Sequence, residues 1–362
     1  MRLIDRYLLR ELAGAFAASL TVLLLTSATG VLVDLLRRIA LGKVPASLLL
    51  SQFGLRLVDA LPMLVPLALF VAVLLCYSRL YRDSEMAVLA SAGQGLRQLL
   101  RPALLFGGLV ALLVGLLSLW AAPAAMALSK RMLDEANRSL LVAGLEPGRF
   151  VELPGRHSVV YLGAMSSDGS RFQRLFVHSQ REDRIDVVTA RAGELFTESV
   201  GEERYLRLEE GFRVEGVPGR NDFRVMRFER NDIRVPDSEP GSDRDRDRRV
   251  PTLQLLEEEQ APRRAELHWR LAAPIAAFAL TLLALPLSRS PPRAARYGGL
   301  LIALLGYLVY LNTLLLGRSW IGEERVPAAL GLWWVHLPVL ACALILIWRG
   351  DRLRKPRRRA AA

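Results

Sequence analysis

Long apolar runs separated by short charged stretches dominate this chain. Leu12–Leu36, Leu61–Leu80, Pro102–Ala125, Leu271–Leu287, Tyr297–Leu316 and Ala328–Trp348 each approach the ~20 apolar residues that carry a helix across a bilayer. They predict six membrane-spanning helices, three on either side of a polar middle region. The first run is too long for the core of a signal peptide and reads as a retained span. Within the middle region, from about Asn137 to Pro236, the period of the pattern falls to two. Leu206 and Leu208 flank Arg207, and Phe212, Val214 and Gly216 alternate with Arg213 and Glu215, as in a strand with one buried face. Other short segments rich in Val, Phe and Tyr, such as Ser158–Leu162, Arg174–His178, Ile185–Thr189 and Phe223–Phe228, are separated by Gly, Asp, Asn and Ser, the usual turn residues.

The expected fold class is therefore an α-helical membrane protein with six transmembrane helices and an all-β, jellyroll-like domain inserted between helices 3 and 4. Residues 1–136 form the first membrane half, opening on an interfacial helix whose Arg2, Arg6 and Arg10 share one face. Residues 137–250 form the β domain and a linker that contains the tract Asp243-Arg-Asp-Arg-Asp-Arg248. Residues 251–362 form the second membrane half and a basic tail. Arg56 and Asp59, three apart at the approach to the second span, are placed to pair with each other, as charges near hydrocarbon must.

Charge then orients the chain. The net charge is +12, yet the stretch 138–264 is slightly acidic, so the positive excess belongs to the membrane part. One side collects Arg2, Arg6 and Arg10, then Arg79, Arg82, Arg97 and Arg101, then Arg289, Arg293 and Arg296, and finally the tail. By the positive-inside rule that side is cytosolic, both termini included, and the β domain lies on the opposite face. No compact basic surface with interleaved aromatics stands out, which argues against a nucleic-acid partner.

The sequence offers little for catalysis. It has no phosphate-binding Gly-x-x-x-x-Gly-Lys-Ser/Thr motif, no Gly-x-Ser-x-Gly elbow and no His-Glu-x-x-His. His157, His178, His268 and His336 are scattered, and Cys76 and Cys342 fall inside predicted spans. No catalytic residue, metal site or cofactor is expected, and the chain has no phosphate loop of its own with which to hydrolyse ATP.

Two groups of residues remain as candidates. In the stretch Arg79–Gly93, Asp83 or Ser84 can cap a short helix of about residues 83–93, Glu85 suits its first turn, and Gly93 suits its stop. Met86, Leu89 and Ala90 give it a small apolar stripe. Such a helix either passes force between the membrane part and a partner docked beneath it, or rests on the bilayer as an amphipathic loop helix. At the other side, Arg37, Arg38 and Lys43 run against the charge trend. They are either ligands for an anionic lipid headgroup or residues reaching to the interface.

Four stretches carry a resemblance: Ile4-Asp-Arg-Tyr-Leu-Leu-Arg-Glu11, Leu61-Pro-Met-Leu-Val-Pro-Leu-Ala-Leu-Phe70, Arg79 to Gly93, and Arg264-Ala-Glu-Leu-His-Trp-Arg270. Together with the layout of three spans, a β insert and three spans, they resemble the LptF/LptG (YjgP/YjgQ) permease family of the lipopolysaccharide exporter, its LptF branch in particular. The resemblance implies a non-catalytic permease subunit of an ABC transporter in the inner membrane of a Gram-negative envelope. Its implied partners are a dimer of an LptB-type ATPase, an LptG-type paralogous permease, an LptC-type single-span protein, and lipopolysaccharide itself. It further implies that Arg82, Asp83, Ser84, Glu85, Met86 and Leu89 belong to a coupling helix, with Glu85 entering the ATPase groove. Spans one and five would form lateral gates, and the lipid would leave through the β domain toward a periplasmic bridge. Asp34 stands where a cation is expected among the cavity residues. The rival reading is a scaffold that anchors a periplasmic β domain in envelope assembly.

Overall fold

The computed structural model describes residues 3–41, 44–91, 96–144, 148–153, 158–166, 171–181, 184–197, 204–220, 222–234, 246–289 and 298–351. Two compact units emerge: Met1–Leu32 with Phe53–Leu128 and Asp243–Ala362, and Val33–Gln52 with Ser129–Ser242.

The helices are α1 (Leu3–Ala40), α2 (Leu49–Arg82), α3 (Glu85–Ser91), α4 (Leu96–Leu116) and α5 (Ala122–Gly144), then α6 (Thr252–Glu257), α7 (Ala261–Leu287), α8 (Gly298–Gly322) and α9 (Trp333–Asp351). A π-helical turn, Leu117–Ala121, joins α4 to α5. Five spans are long and apolar enough to cross a membrane: α1, α2, the continuous α4–α5 rod, α7 and α8. The sixth, in α9, is a shorter apolar helix. Residues 3–11 are not a separate interfacial helix; α1 runs without a break from Leu3 into the first span.

At the centre of the helical unit is α7, which packs against α4, α8 and α9. Its buried face is mostly small, with Ala272, Ala276, Ala277, Ala279 and Ala284, and small residues let helix backbones approach closely in a bilayer. Gly107 of α4 is required by that approach, because a Cβ there would lie 2.7 Å from Cγ2 of Thr281.

One end of α7 holds a buried ion network. Arg270 donates from Nε to Glu266 (2.9 Å), from Nη1 to the carbonyl of Val250 (2.9 Å) and Oγ1 of Thr252 (2.8 Å), and from Nη2 to the carbonyls of Asp247 (3.1 Å) and Arg248 (3.0 Å). A guanidinium has five N–H groups, and all five are satisfied here. The second carboxylate oxygen of Glu266 accepts from Arg318 of α8 at 2.6 Å. Ser118 of the π turn donates to the carbonyl of Arg270 at 2.9 Å, and Thr252 donates to the carbonyl of Leu119. The wider turn thus exposes backbone that finds side-chain partners. Asp59, expected to pair with Arg56, takes Arg248 as a partner. The Asp/Arg tract that the sequence reading left without a role therefore supplies Arg248 and two backbone carbonyls to this network; its residues 243–245 lie outside the described ones.

The middle of the chain folds into one six-stranded antiparallel sheet: β1 (Phe150–Leu153), β2 (Ser158–Met165), β3 (Arg171–Arg181), β4 (Arg184–Thr197), β5 (Arg204–Gly216) and β6 (Arg224–Arg234), in the order β1-β2-β3-β4-β5-β6. The period-two pattern yields a single apolar face, with Val160, Leu162, Phe172, Leu175, Val188, Ala190 and Leu208 in one buried cluster. The jellyroll-like expectation takes the form of a sheet bent on itself. Pairing passes from Leu162↔Leu175 to Ala164↔Gln173, from Leu175↔Ala190 to Gln173↔Ala192, from Ala190↔Gly211 to Ala192↔Glu209, and from Gly211↔Phe228 to Glu209↔Arg230. Register is unchanged each time, but Gly163, Arg174, Arg191, Glu210 and Glu229 are passed over, and these positions form a line across the sheet. Arg174 and Glu210 on that line have φ of 53° and 50°. A left-handed residue cannot keep the extended pleat, so the strands turn there. Arg191 and Glu210 pair along the line at 2.9 Å. Beyond the crease, Arg207 grips Asp232 through two hydrogen bonds of 3.0 and 3.2 Å, and these hold the Asp232 carboxyl below the usual carboxylate range.

Next to the crease, Gly211 faces Phe228 across the ladder, and a Cβ at 211 would sit 2.1 Å from the carbonyl oxygen of Thr189. Backbone cannot yield as a flexible side chain does. Gly211→Ala is expected to open β4–β6, seen as loss of amide hydrogen-exchange protection in those strands of the full chain. In the ion network, Glu266→Ala leaves Arg270 and Arg318 without their carboxylate; removing one partner of a buried pair costs ~3 kcal/mol or more. The detergent-purified chain is expected to lose about 6–12 °C in thermal midpoint, with Glu266→Gln intermediate.

Candidate functional site

Of the residues singled out from sequence, the coupling-helix group is brought together most tightly. Tyr77, fully buried in α2, donates to the carbonyl of Leu99 in α4 at 2.8 Å. Ser78 reaches the carbonyl of Ser288 beyond α7 at 3.3 Å. These bonds tie the flanking helices together, and α3 is set into the corner between them. Arg82 closes the last turn of α2, and Asp83 continues it with a bond from its N–H to the carbonyl of Arg79 at 2.9 Å. Ser84 then takes a left-handed φ of 59°, which for a residue with a Cβ costs about 1–2 kcal/mol. Its carbonyl accepts from Ala87 (3.0 Å) and Val88 (3.3 Å), so of the two expected cap positions the helix starts at Ser84. One face of α3 is anchored: Met86 is buried in the core of the helical unit and Leu89 packs against it. Ala87 and Val88 are exposed, and Glu85 is half-buried at the first turn. Gly93, the expected stop, lies outside the described residues.

The sequence reading missed the company that Glu85 keeps. Tyr7 of α1 donates its hydroxyl to Oε2 of Glu85 at 3.0 Å, and Arg79 Nη2 lies 3.4 Å from the same hydroxyl. The same Nη2 pairs with Glu11 of α1 at 2.8 Å, while Arg79 Nε is 4.0 Å from Asp83. Within this network Arg79 is shared by Glu11, by Asp83 and by the hydroxyl that donates to Glu85. The i, i+4 spacing of Tyr7 and Glu11 was legible, because it places both on one face of a helix.

The second candidate group is described in part. Arg37 is exposed in the last turn of α1. Arg38 pairs with Asp34, four residues earlier, at 2.8 Å, so the carboxylate noted from sequence offsets one of the two cations. Lys43 lies outside the described residues.

A cavity of about 380 Å³ opens in the helical unit beside the ion network. Pro62, Met63, Tyr307 and Leu311 supply apolar wall, and Asp59 and Arg318 supply charge. Arg318 also lies over the ring of Trp269 at 5.1 Å. Sequence reasoning had not placed a cavity here, although Glu266 and Arg270 stood within one of the quoted stretches. Among the described residues, no group of three or more His, Cys, Asp or Glu is arranged to hold a metal ion.

The LptF proteins of Escherichia coli K12 and of Shigella flexneri, each named a lipopolysaccharide export system permease protein, are 29% identical to this chain over 359 residues, covering 98% of it and 97% of their own lengths. Residues 6–349 match the family described as lipopolysaccharide export system permease LptF/LptG. A multi-pass helical unit, a single β insert and a match over nearly the whole length lead to one conclusion: the chain belongs to the LptF/LptG permease family.

Proposed function

We propose that the chain is the non-catalytic permease subunit of an ABC exporter that takes lipopolysaccharide from the outer leaflet of the inner membrane and passes it through the β domain to a periplasmic bridge. The observation that carries this reading is α3. It is a two-turn helix with one face fixed in the core, the other bare, and a carboxylate-rich network at its first turn. A separate LptB-type ATPase dimer docks there, with Glu85 meeting a cation of the ATPase and Arg82, Asp83, Ser84, Met86 and Leu89 completing or supporting the surface. Both termini are then cytosolic and the β domain periplasmic, in accord with Arg79 and Arg82 in the last turn of α2 and Arg10 beside Arg79. Residues 1–136 and 251–362 are the two membrane halves, and 137–250 is the domain that receives the lipid. An LptG-type permease pairs with this one, and an LptC-type single-span protein completes the assembly. Arg37, with Arg38 partly neutralised by Asp34, contributes to holding an anionic headgroup, together with Lys43.

Nucleotide-driven closure of the ATPase dimer moves α3, and α3 is rigidly joined to α2 and α4 through the Ser84 corner and the Tyr77–Leu99 bond. The displacement therefore enters the membrane helices directly. Work is done on the lipid without any bond being made or broken in this chain.

Glu85→Ala tests the reading. Recovery of the ATPase with the tagged chain from native membranes is expected to fall roughly tenfold, the equivalent of ~1.4 kcal/mol of docking energy, while the chain itself inserts normally. Undiminished ATPase recovery and undiminished lipopolysaccharide export would replace this reading with the scaffold.

A further inference from the structure

The attachment of α1 to its own unit lies in its first half, from Ile4 to Leu20. Leu8 and Leu12 are completely buried and Asp5 nearly so, on a stripe of i, i+3 and i+4 spacing. From Ala13 to Asp34 no residue of α1 is buried, and Leu20 is the last of them packed against the core. Val22, Leu25, Leu32 and Val33 are all exposed, and none of the most apolar window of this span is covered within the chain. By contrast, about half of the corresponding window of α2 and of α7 is buried. The helix is long, ~57 Å from end to end, and a continuous α-helix transmits tilt along its length.

The attached end of α1 is also the end bonded to α3. Tyr7 and Glu11 lie on one face, one turn apart. Tyr7 donates to Glu85 at the first turn of α3, and Glu11 accepts from Arg79, the last arginine of α2 but one. We propose that Tyr7 and Glu11 are positioning residues that make α1 a lever pivoted on the coupling helix: a shift of α3 is passed through the Tyr7–Glu85 and Glu11–Arg79 links into a tilt of the exposed span. This rests on the proposed docking of an ATPase at α3 and adds what the docking moves. The geometry favours a lever because the fully buried contacts, Leu8 and Leu12, sit at one end and the exposed arm is long. Val22 lies fifteen residues beyond Tyr7, ~22 Å along the axis, so a tilt of about 10° displaces it by ~4 Å. Beyond Leu20 little packing opposes that motion, since apolar side chains from there to Leu32 exchange lipid or partner contacts for equivalent ones. Glu85 is shared: a partner cation that draws its carboxylate loosens the Tyr7 bond or drags Tyr7 with it, and either result changes the tilt.

The test uses the full transporter, purified with its ATPase and reconstituted with lipopolysaccharide, in a chain carrying Cys342→Ala and spin labels at Val22→Cys and Leu337→Cys; Cys76 is buried and stays unlabelled. Both label positions are exposed. The distance between the labels is measured with and without a non-hydrolysable ATP analogue, alongside lipid exported per ATP hydrolysed. The parent chain is expected to show a shift of a few ångströms. Tyr7→Phe, which keeps the ring and removes the donor, and Glu11→Gln, which weakens the second link, are expected to reduce the shift separately and abolish it together. Lipid exported per ATP is expected to fall severalfold, with the ATPase still recovered. A nucleotide-dependent shift that survives in the double variant overturns the lever and leaves ATPase docking intact. Loss of the ATPase from the double variant, as expected for Glu85→Ala, also overturns it, because Tyr7 and Glu11 would then belong to docking. A parent chain that exports lipid with no shift at Val22 overturns it as well.

Discussion

The guanidinium of Arg270 is the constraint on which the helical unit turns. A cation near hydrocarbon is tolerated only when every donor has a partner, and here the five partners come from α7 itself, from the chain segment 247–252 and from the Thr252 hydroxyl. Satisfying one residue therefore fixes the return of the chain into the membrane. It also brings Glu266 to Arg318 and so ties α7 to α8. The π turn at Leu117–Ala121 belongs to the same arrangement, since Ser118 and the carbonyl of Leu119 become available to Arg270 and Thr252 at the point where the regular helical ladder is interrupted. Three otherwise separate features, an arginine tract, a helix defect and a buried ion pair, are thus one structure.

That arrangement lies at one end of the bundle, and the α3 corner lies at the other. The first is saturated and closed: Arg270 and Glu266 are almost fully buried and their hydrogen bonds are met. The second has one arginine shared by Glu11, Asp83 and Tyr7, a left-handed Ser84 and an exposed helix face. Rigid, satisfied polar clusters hold a helix bundle in register, whereas unsatisfied and partly exposed ones are where a partner gains most by binding. This difference in polar satisfaction separates the closed end of the bundle from the end where the proposed docking takes place.

Much of the plan was legible in the chain because it depends on periodicity and length. Apolar runs gave the spans, alternation gave the strands, and the spacing of Ser84, Glu85, Met86 and Leu89 gave a short amphipathic helix in the right place. What escaped depends on pairings between residues distant in sequence. Asp59 had a plausible neighbour in Arg56, and nothing local marks Arg248, 189 residues away, as the partner it takes. Strand order was equally hidden, since alternation identifies a buried face without saying which strand lies beside which. The crease is visible only in register: Arg174 and Glu210 are ordinary strand residues by pattern, and their left-handed backbone appears only once the ladder is built. The interfacial helix expected from Arg2, Arg6 and Arg10 is continuous with the first span because residues 3–12 contain no glycine or proline to end a helix, and Leu8 and Leu12 continue the stripe.

The same reasoning explains why so hydrophobic a helix as α1 is left uncovered. Hydrophobicity does not hold helices together inside a bilayer, where lipid tails are as apolar as leucine; close packing and polar contacts do. Along α7 the alanines supply close packing, and at its end Arg270 supplies polar contacts. Along α1 the packing from this chain thins out: Ala15, Phe16 and Leu20 still meet the core, while Thr21, Thr26 and Thr29 bond back to the carbonyls of Ala17, Val22 and Leu25 on their own helix. Tyr7 and Glu11 near its start make interhelical hydrogen bonds and an ion pair toward α2 and α3. A span whose threonines bond to its own backbone and whose first turns borrow partners from α2 and α3 is held by those turns, and its inclination follows whatever moves them.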